Sequence, residues 1–325
     1  MAYETGVAAD VTALLGTIRV FAESLGWTIA RDNTNELALH HADAGWFTLV
    51  ATPQTDDIYT SPNPRPYIDV WGQTGFDDGA AYNQHPGSSG DKWGRANGLR
   101  GPFTAYHLFG TTQYIHCAIE VVPGEFAHLQ FGKLVKAGVY DGGEYAAGTA
   151  WYYALQGSNY NGQYDSNRHS VPWDGMSYYA AGQAGAGAHG AVRLDADGYS
   201  NEWGRFTYDL STGYSSIFGP ARLTDNQERS PWWSFLFSTP NTVNAVSPLA
   251  PIVPAFILRN SKTFLPGAPA DLRLVNMRNL VPGEMITIGS DEWLCFPIKK
   301  RSLVQRDTSN VVNSWIAGYA YRKVP

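Results

Sequence analysis

The run Gln113-Tyr114-Ile115-His116-Cys117-Ala118-Ile119-Glu120-Val121-Val122, continued by Pro123-Gly124-Glu125 and then Phe126–Val135, decides the fold class. Side chains alternate across a strand with a period of two. Ile115, Cys117, Ile119 and Val121 therefore share one face, and Tyr114, His116, Ala118, Glu120 and Val122 share the other. The first set is uninterrupted in its apolar character and is expected to be the core face. Val122-Pro123-Gly124-Glu125 puts Pro and Gly at the central positions of a type II turn, where Pro fixes φ and Gly accepts a positive φ. Phe126–Val135 then reads as the returning strand.

The same four residues recur at Val281-Pro282-Gly283-Glu284, and Met285, Thr287 and Gly289 again alternate with Ile286 and Ile288. This is read as reuse of a turn, not as an internal repeat. Upstream, Trp27–Arg31, Glu36–His40 and Trp46–Thr52 form a meander of short strands separated by Asn, Asp and Gly. Further strands are expected at Trp232–Ser238 and near 255–260, 271–277, 284–298 and 314–322. Pro248, Pro251 and Pro254 mark an extended crossover. Residues 53–104 are loop-rich, with Pro62, Pro64 and Pro66 breaking any ladder; so long a stretch is uncommon unless it functions or packs on something. Residues 140–220 are rich in Gly, Tyr, Ala and Asn, and Ala180–Gly190 is of low complexity.

Helical periodicity occurs once. Asp10 is placed to cap a helix in which Val11, Leu14, Leu15, Ile18, Phe21 and Leu25 share a face, with Arg19 and Glu23 opposite and Gly26 at the end. That apolar stripe needs a partner, either the chain's own β core or a neighbouring subunit, and Leu14, Ile18 and Phe21 are the candidate oligomer-interface residues. The expected fold is thus mainly β: a sandwich or distorted barrel of short antiparallel strands with long loops and one N-terminal α-helix. Three parts are expected: an N-terminal helical segment over 1–30, a main β-rich domain over 31–243, and a C-terminal β module over 244–325 packed on it.

Composition agrees. Aromatic residues make up 14% of the chain (11 Trp, 19 Tyr and 14 Phe), and charged residues only 16%, where about 25% is usual. Aromatics suit a pleated, half-buried surface, and the 34 Gly and 19 Pro punctuate strands. A net charge of −6 argues against nucleic acid as a partner, since phosphate neutralisation needs clustered Lys and Arg; Lys299-Lys300-Arg301 reads as a solvated turn. Cys117 and Cys295 lie in apolar runs and are expected to be free, buried thiols, as in a protein assembled in a reducing cytoplasm. Glu4 and Asp10 flank the first apolar residues, so no signal peptide is expected, and no apolar run is long enough for a membrane span.

The chain has no P-loop, no G-x-S-x-G elbow, no H-E-x-x-H and no C-x-x-C motif. His40-His41 and His116-Cys117 are strand neighbours that point to opposite faces, so neither pair can share a metal or form a thiolate–imidazole couple. Asp195, Asp197 and Gly198 resemble the start of a calcium loop, but Phe206 stands where the bidentate Glu belongs, and an Asp-Gly turn is the simpler reading. No metal or cofactor is expected. Glycan chemistry is the main alternative, because it needs only two carboxylates and aromatic platforms. Glu120 and Glu144, with Trp151, Tyr152 and Tyr153, are its candidate residues. Glu125 and Asp141 lie in the same region but in turn signals. Aromatics carried in loops need cover, and a neighbouring subunit is the simplest cover.

Several segments resemble tailed-bacteriophage virion structural proteins. They are the opening Met1-Ala2-Tyr3-Glu4-Thr5-Gly6 before a helix; Phe126–Tyr145, with Phe131-Gly132-Lys133, Lys136 and Gly142-Gly143-Glu144-Tyr145; Asp271–Phe296, with Val275-Asn276-Met277-Arg278, Pro282-Gly283-Glu284, Ile288-Gly289 and Trp293; and the close Gly318-Tyr319-Ala320-Tyr321-Arg322-Lys323. Residues 53–104 and 146–220 take no part in the resemblance. It implies a multi-copy structural subunit of the tail, baseplate or neck, forming a homo-oligomer with other virion proteins and assembled in the host bacterial cytoplasm. A host-surface glycan is the partner that the alternative implies. The resemblance carries over no site residue, because its motifs are turns and strands.

Overall fold

The structure, a computed structural model, describes residues 2–53, 66–90, 94–152, 168–170, 173, 190–196, 199–205, 249–252, 256–257, 263–299 and 317–323. The protein is mainly β, and its described strands pair antiparallel in three large sheets. The N-terminal sheet is a meander of β2 (Thr28–Asn33), β3 (Glu36–His41), β4 (Gly45–Thr52), β5 (Tyr67–Gln73) and β6 (Gly94–Asn97). The middle sheet runs β1 (Ala2–Gly6), β7 (Ala105–Gly110), β8 (Tyr114–Val122), β9 (Glu125–Lys133), β11 (Asp141–Gly148), β14 (Gly190–Ala196) and β15 (Tyr199–Arg205). The C-terminal sheet has the order β16 (Leu249–Pro251), β20 (Leu272–Asn276), β23 (Ala317–Lys323), β22 (Asp291–Pro297) and β21 (Glu284–Ile288). Three short ladders complete the pairing: β10 (Val135–Lys136) with β19 (Gly267–Ala268), β12 (Ala150–Tyr152) with β13 (Arg168–Ser170), and β17 (Phe256–Ile257) with β18 (Thr263–Phe264).

The sheets stack as three layers. Helix α1 (Val11–Ser24) begins at the expected cap, where the Asp10 carboxylate accepts from Ala13 N–H at 2.8 Å, and Gly26 follows it with a φ of 83°. Its stripe, with Phe47, Leu49 and Val70 of the N-terminal sheet and Ile115, Cys117, Ile119, Leu129 and Phe131 of the middle sheet, builds the first core. The opposite face of the middle sheet, through Phe109, Tyr114, Phe126 and Tyr145, meets Leu272, Phe296, Tyr319 and Tyr321 of the C-terminal sheet in a second core.

This corrects the reading of β8. Ile115, Cys117 and Ile119 do face a core, but so do Tyr114, His116 and Ala118, each no more than 1% exposed. The alternation marks two different buried faces instead of an inside and an outside. Their polar tips are satisfied internally: Tyr114 donates to Asp271 at 2.7 Å, and His116 Nε2 lies 2.7 Å from the Tyr145 hydroxyl.

Both Val-Pro-Gly-Glu stretches turn as expected, with φ of 79° at Gly124 and 78° at Gly283. The first closes the β8–β9 hairpin, and the second leads from a 3-10 turn (Met277–Asn279) into β21.

Two other expectations change. Residues 1–30 are not a separate helical segment: Ala2–Gly6 pair along β7, and a boundary at residue 30 would cut β2. The described loop over 74–90 finds its cover within the chain. It folds back on the outer face of the N-terminal sheet, where Thr74 N–H donates to Pro86 O at 2.9 Å and Ser89 N–H to Gly72 O at 2.9 Å. Phe76 stacks on Trp46 with ring centroids 5.7 Å apart, Tyr82 meets Trp71 at 4.6 Å, and Arg31 donates to Ala80 O and Asp78 O. The expected strand at Trp232–Ser238 and residues 180–189 lie outside the described residues, as do Pro248 and Pro254 of the expected crossover, whose residues 249–251 form β16.

Candidate functional site

The carboxylates chosen for glycan chemistry are not brought together. Glu120 pairs with Phe126 and Glu144 with Lys133 across opposite ends of β9. At the ~3.3 Å rise of a strand those ends are about 23 Å apart, far beyond the roughly 5–9.5 Å that a glycosidase pair uses. Glu120 instead shapes its turn, accepting from Gly124 N–H at 2.8 Å. Glu144 is buried between Lys133 Nζ at 3.0 Å and Arg193 Nε at 2.6 Å, with Gly45 leaving it room. Burial pulls its pKa up, but the hydrogen bond and charge of Arg193, helped by Lys133, outweigh that and hold the carboxyl below its ordinary range. Trp151 and Tyr152 form part of β12, and Tyr153 lies outside the described residues.

The oligomer-interface candidates are also corrected. Leu14 and Ile18 are 0% exposed and Phe21 is 2% exposed, all consumed by the chain's own first core. Burying the stripe against two sheets leaves none of these side chains for a neighbour. Ile18→Ala is accordingly expected to cost about 3 kcal/mol of folding stability by urea denaturation, through lost burial and a cavity. A concentration-dependent loss of assembly without loss of stability would contradict this placement.

His116 and Cys117 diverge to the two cores as strand geometry requires, and burial pushes both cysteine thiols up, Cys295 to about 12. His40 stacks on Trp46 while His41 turns to the Asp43 backbone. Among the described residues no three His, Cys, Asp or Glu side chains form a metal cluster. Asp195 is in β14, and Asp197 and Phe206 lie outside the described residues.

Among the described residues a dense polar constellation lies elsewhere, in the second core. His128 Nε2 lies 2.9 Å from Pro297 O and its Nδ1 lies 2.7 Å from the Tyr321 hydroxyl. A carbonyl only accepts, so Nε2 carries the hydrogen and Nδ1 accepts from Tyr321. The Tyr321 oxygen in turn accepts from Gln130 Nε2 at 2.9 Å, and Gln130 Oε1 accepts from Trp173 Nε1 at 2.5 Å. One shell away, His116 stacks on Tyr114 and contacts the Tyr145 hydroxyl, while its Nδ1 is buried without a partner. His107, on β7, packs against Phe296 and hydrogen-bonds Tyr3 and Thr5. Burial depresses all three imidazoles, His107 and His128 to about 4 and His116 to about 3, so they are neutral at pH 7.

This seam escaped the sequence reading, although its elements carry a signal. Tyr114-x-His116, His128-x-Gln130 and Tyr319-x-Tyr321 are each spaced by two, placing large polar-tipped side chains on one face of a strand. No family model matches this chain, and no curated protein matches it either.

Proposed function

We propose that the chain is a structural, multi-copy subunit of a tailed-phage particle, in its tail, baseplate or neck, acting by assembly with further copies and other virion proteins. The observation that carries this reading is the edge of the C-terminal sheet. There Val281, Met285 and Ile288 are 54%, 46% and 50% exposed, on and beside a strand with one described neighbour. Natural sheets blunt such edges with charge or cover them with a partner. These residues fall inside Asp271–Phe296, one of the segments that resemble virion proteins. The resembling segments also converge in space: β1, β9, β11, β20, β22 and β23 all border the second core.

The test compares the protein in solution with Met285→Lys/Ile288→Lys, by sedimentation and by electron microscopy of the particle that contains it. A defined oligomer, weakened by the double variant and present as symmetry-related copies, is the expected result. A monomer at all concentrations, together with absence from purified particles by mass spectrometry, rejects the proposal.

A further inference from the structure

The middle sheet has two junctions of unlike chemistry. On the helix side the core is apolar, and the buried carboxylate among the described residues there, Glu144 at the rim, is tied to Lys133 and Arg193. On the other side His116 and His128 are both 0% exposed, with His107 beside them. We propose that the junction between the middle and C-terminal sheets is an acid-labile seam, which protonation of His116 and His128 opens while the helix-side junction stays closed.

The hydrogen-bond directions make the case. His128 already donates from Nε2 and accepts at Nδ1, so a second ring proton confronts the Tyr321 O–H, whose oxygen is already an acceptor from Gln130. Protonated His116 would bury an N–H at a nitrogen with no acceptor. Among the described residues, the surroundings offer no compensating anion. On the C-terminal sheet, Asp271 is held by Tyr114 and Arg322, and Asp291 by Arg322. Glu292 and Lys323, cross-strand partners, lie at the rim, Lys323 over the Tyr3 ring. Tyr145 and Tyr321, pushed further up by burial, stay neutral. Cys117 faces the other core.

The sign follows from linkage. Both histidines have folded values below the ~6.5 of an unfolded chain. Their contribution is therefore complete above that pH and is lost as pH falls through it toward the folded values. Each weakens the closed junction by up to about tenfold per pH unit in this window, or on the order of 10³-fold for the two together between about pH 6.5 and 4.5. This inference is independent of the assembly reading.

Hydrogen exchange, corrected for intrinsic rate and followed peptide by peptide at about pH 7 and 4.5, tests it. Strands within 272–323 are expected to lose protection in acid while 36–52 keep theirs, and His116→Phe/His128→Gln is expected to remove that step. Equal loss in both regions, no loss in 272–323, or loss confined to 74–90, where His85 is also buried, overturns the proposal. Should the double variant not fold, the wild-type protein still decides. Opening must take up about two protons, or up to three with His107, read from the pH dependence of the exchange, and uptake of no more than about one rejects the seam.

Discussion

Gly148→Ala is expected to cost on the order of 5 kcal/mol or to prevent folding, an effect at the far end of what one methyl group does. Gly148 and Gly94 lie where β11 of the middle sheet and β6 of the N-terminal sheet meet backbone to backbone. A Cβ on Gly148 would overlap the carbonyl group of Arg95 and come within 2.8 Å of Ala96 N, and one on Gly94 would come within 2.6 Å of Ala147 N. Neither obstacle is a side chain that can swing aside. The two sheets are also bonded beside it, Asn97 N–H donating to Thr149 O at 3.2 Å, while Thr149 N–H is anchored to His128 O of β9 at 3.0 Å. Relief requires moving whole strands, which opens the first core. Gly16→Ala provides the contrast: in mid-helix, with nothing within 4 Å of its Cβ position, it should stabilise by up to about 1 kcal/mol. Urea denaturation of the two variants checks both signs, and equal small effects would show that the corner is looser than its geometry.

Asp69→Ala should cost about 3–5 kcal/mol, because it takes a charge-assisted, two-point carboxylate contact away from a buried guanidinium. Arg95 bonds Asp69 through Nε at 2.5 Å and Nη2 at 2.6 Å, and its guanidinium lies 3.9 Å from the centroid of the Tyr67 ring. The pair sits on the outer face of the N-terminal sheet, with side chains 3% and 10% exposed. Removing the carboxylate takes away the attraction of this pair while the guanidinium stays buried. Replacing both partners with apolar residues, Asp69→Leu/Arg95→Met, should recover much of the loss. A double-mutant cycle in urea measures the coupling. A loss below about 1 kcal/mol for Asp69→Ala would mean that the site is effectively solvated.

Local features were legible in the sequence because their causes are local. Asp10, the apolar stripe and Gly26 define the helix within one or two residues, and Pro and Gly set both Val-Pro-Gly-Glu turns without help from the rest of the chain. Features that depend on a distant partner were not legible. Periodicity separates the two faces of β8 but cannot say that a second sheet covers the Tyr114 and His116 face. That sheet's contribution, Tyr321, is 193 residues from His128. Ala2–Gly6 reads as a lead-in to the helix, because its pairing with β7 is just as distant. Glu120 and Glu144 look close on the page only because a hairpin lies between them, and the returning strand carries one away from the other. Aromatics carried in loops read as rings in need of a neighbouring subunit, but Phe76 and Tyr82 of the 74–90 loop are covered within the chain. The loop's own backbone bonds, which no composition reveals, supply the cover.

The long reach of Tyr321 also sets a timetable. A ribosome releases the N-terminal sheet, the helix and β7 to β9 well before β23, so the first core can close while the chain is still growing. The opposite face of β8 and β9, with Phe126, His128 and Gln130, must wait in the open until a strand 191 residues beyond Gln130 arrives. A nascent chain halted before that strand would carry a sticky aromatic face, the kind of surface on which chaperones act.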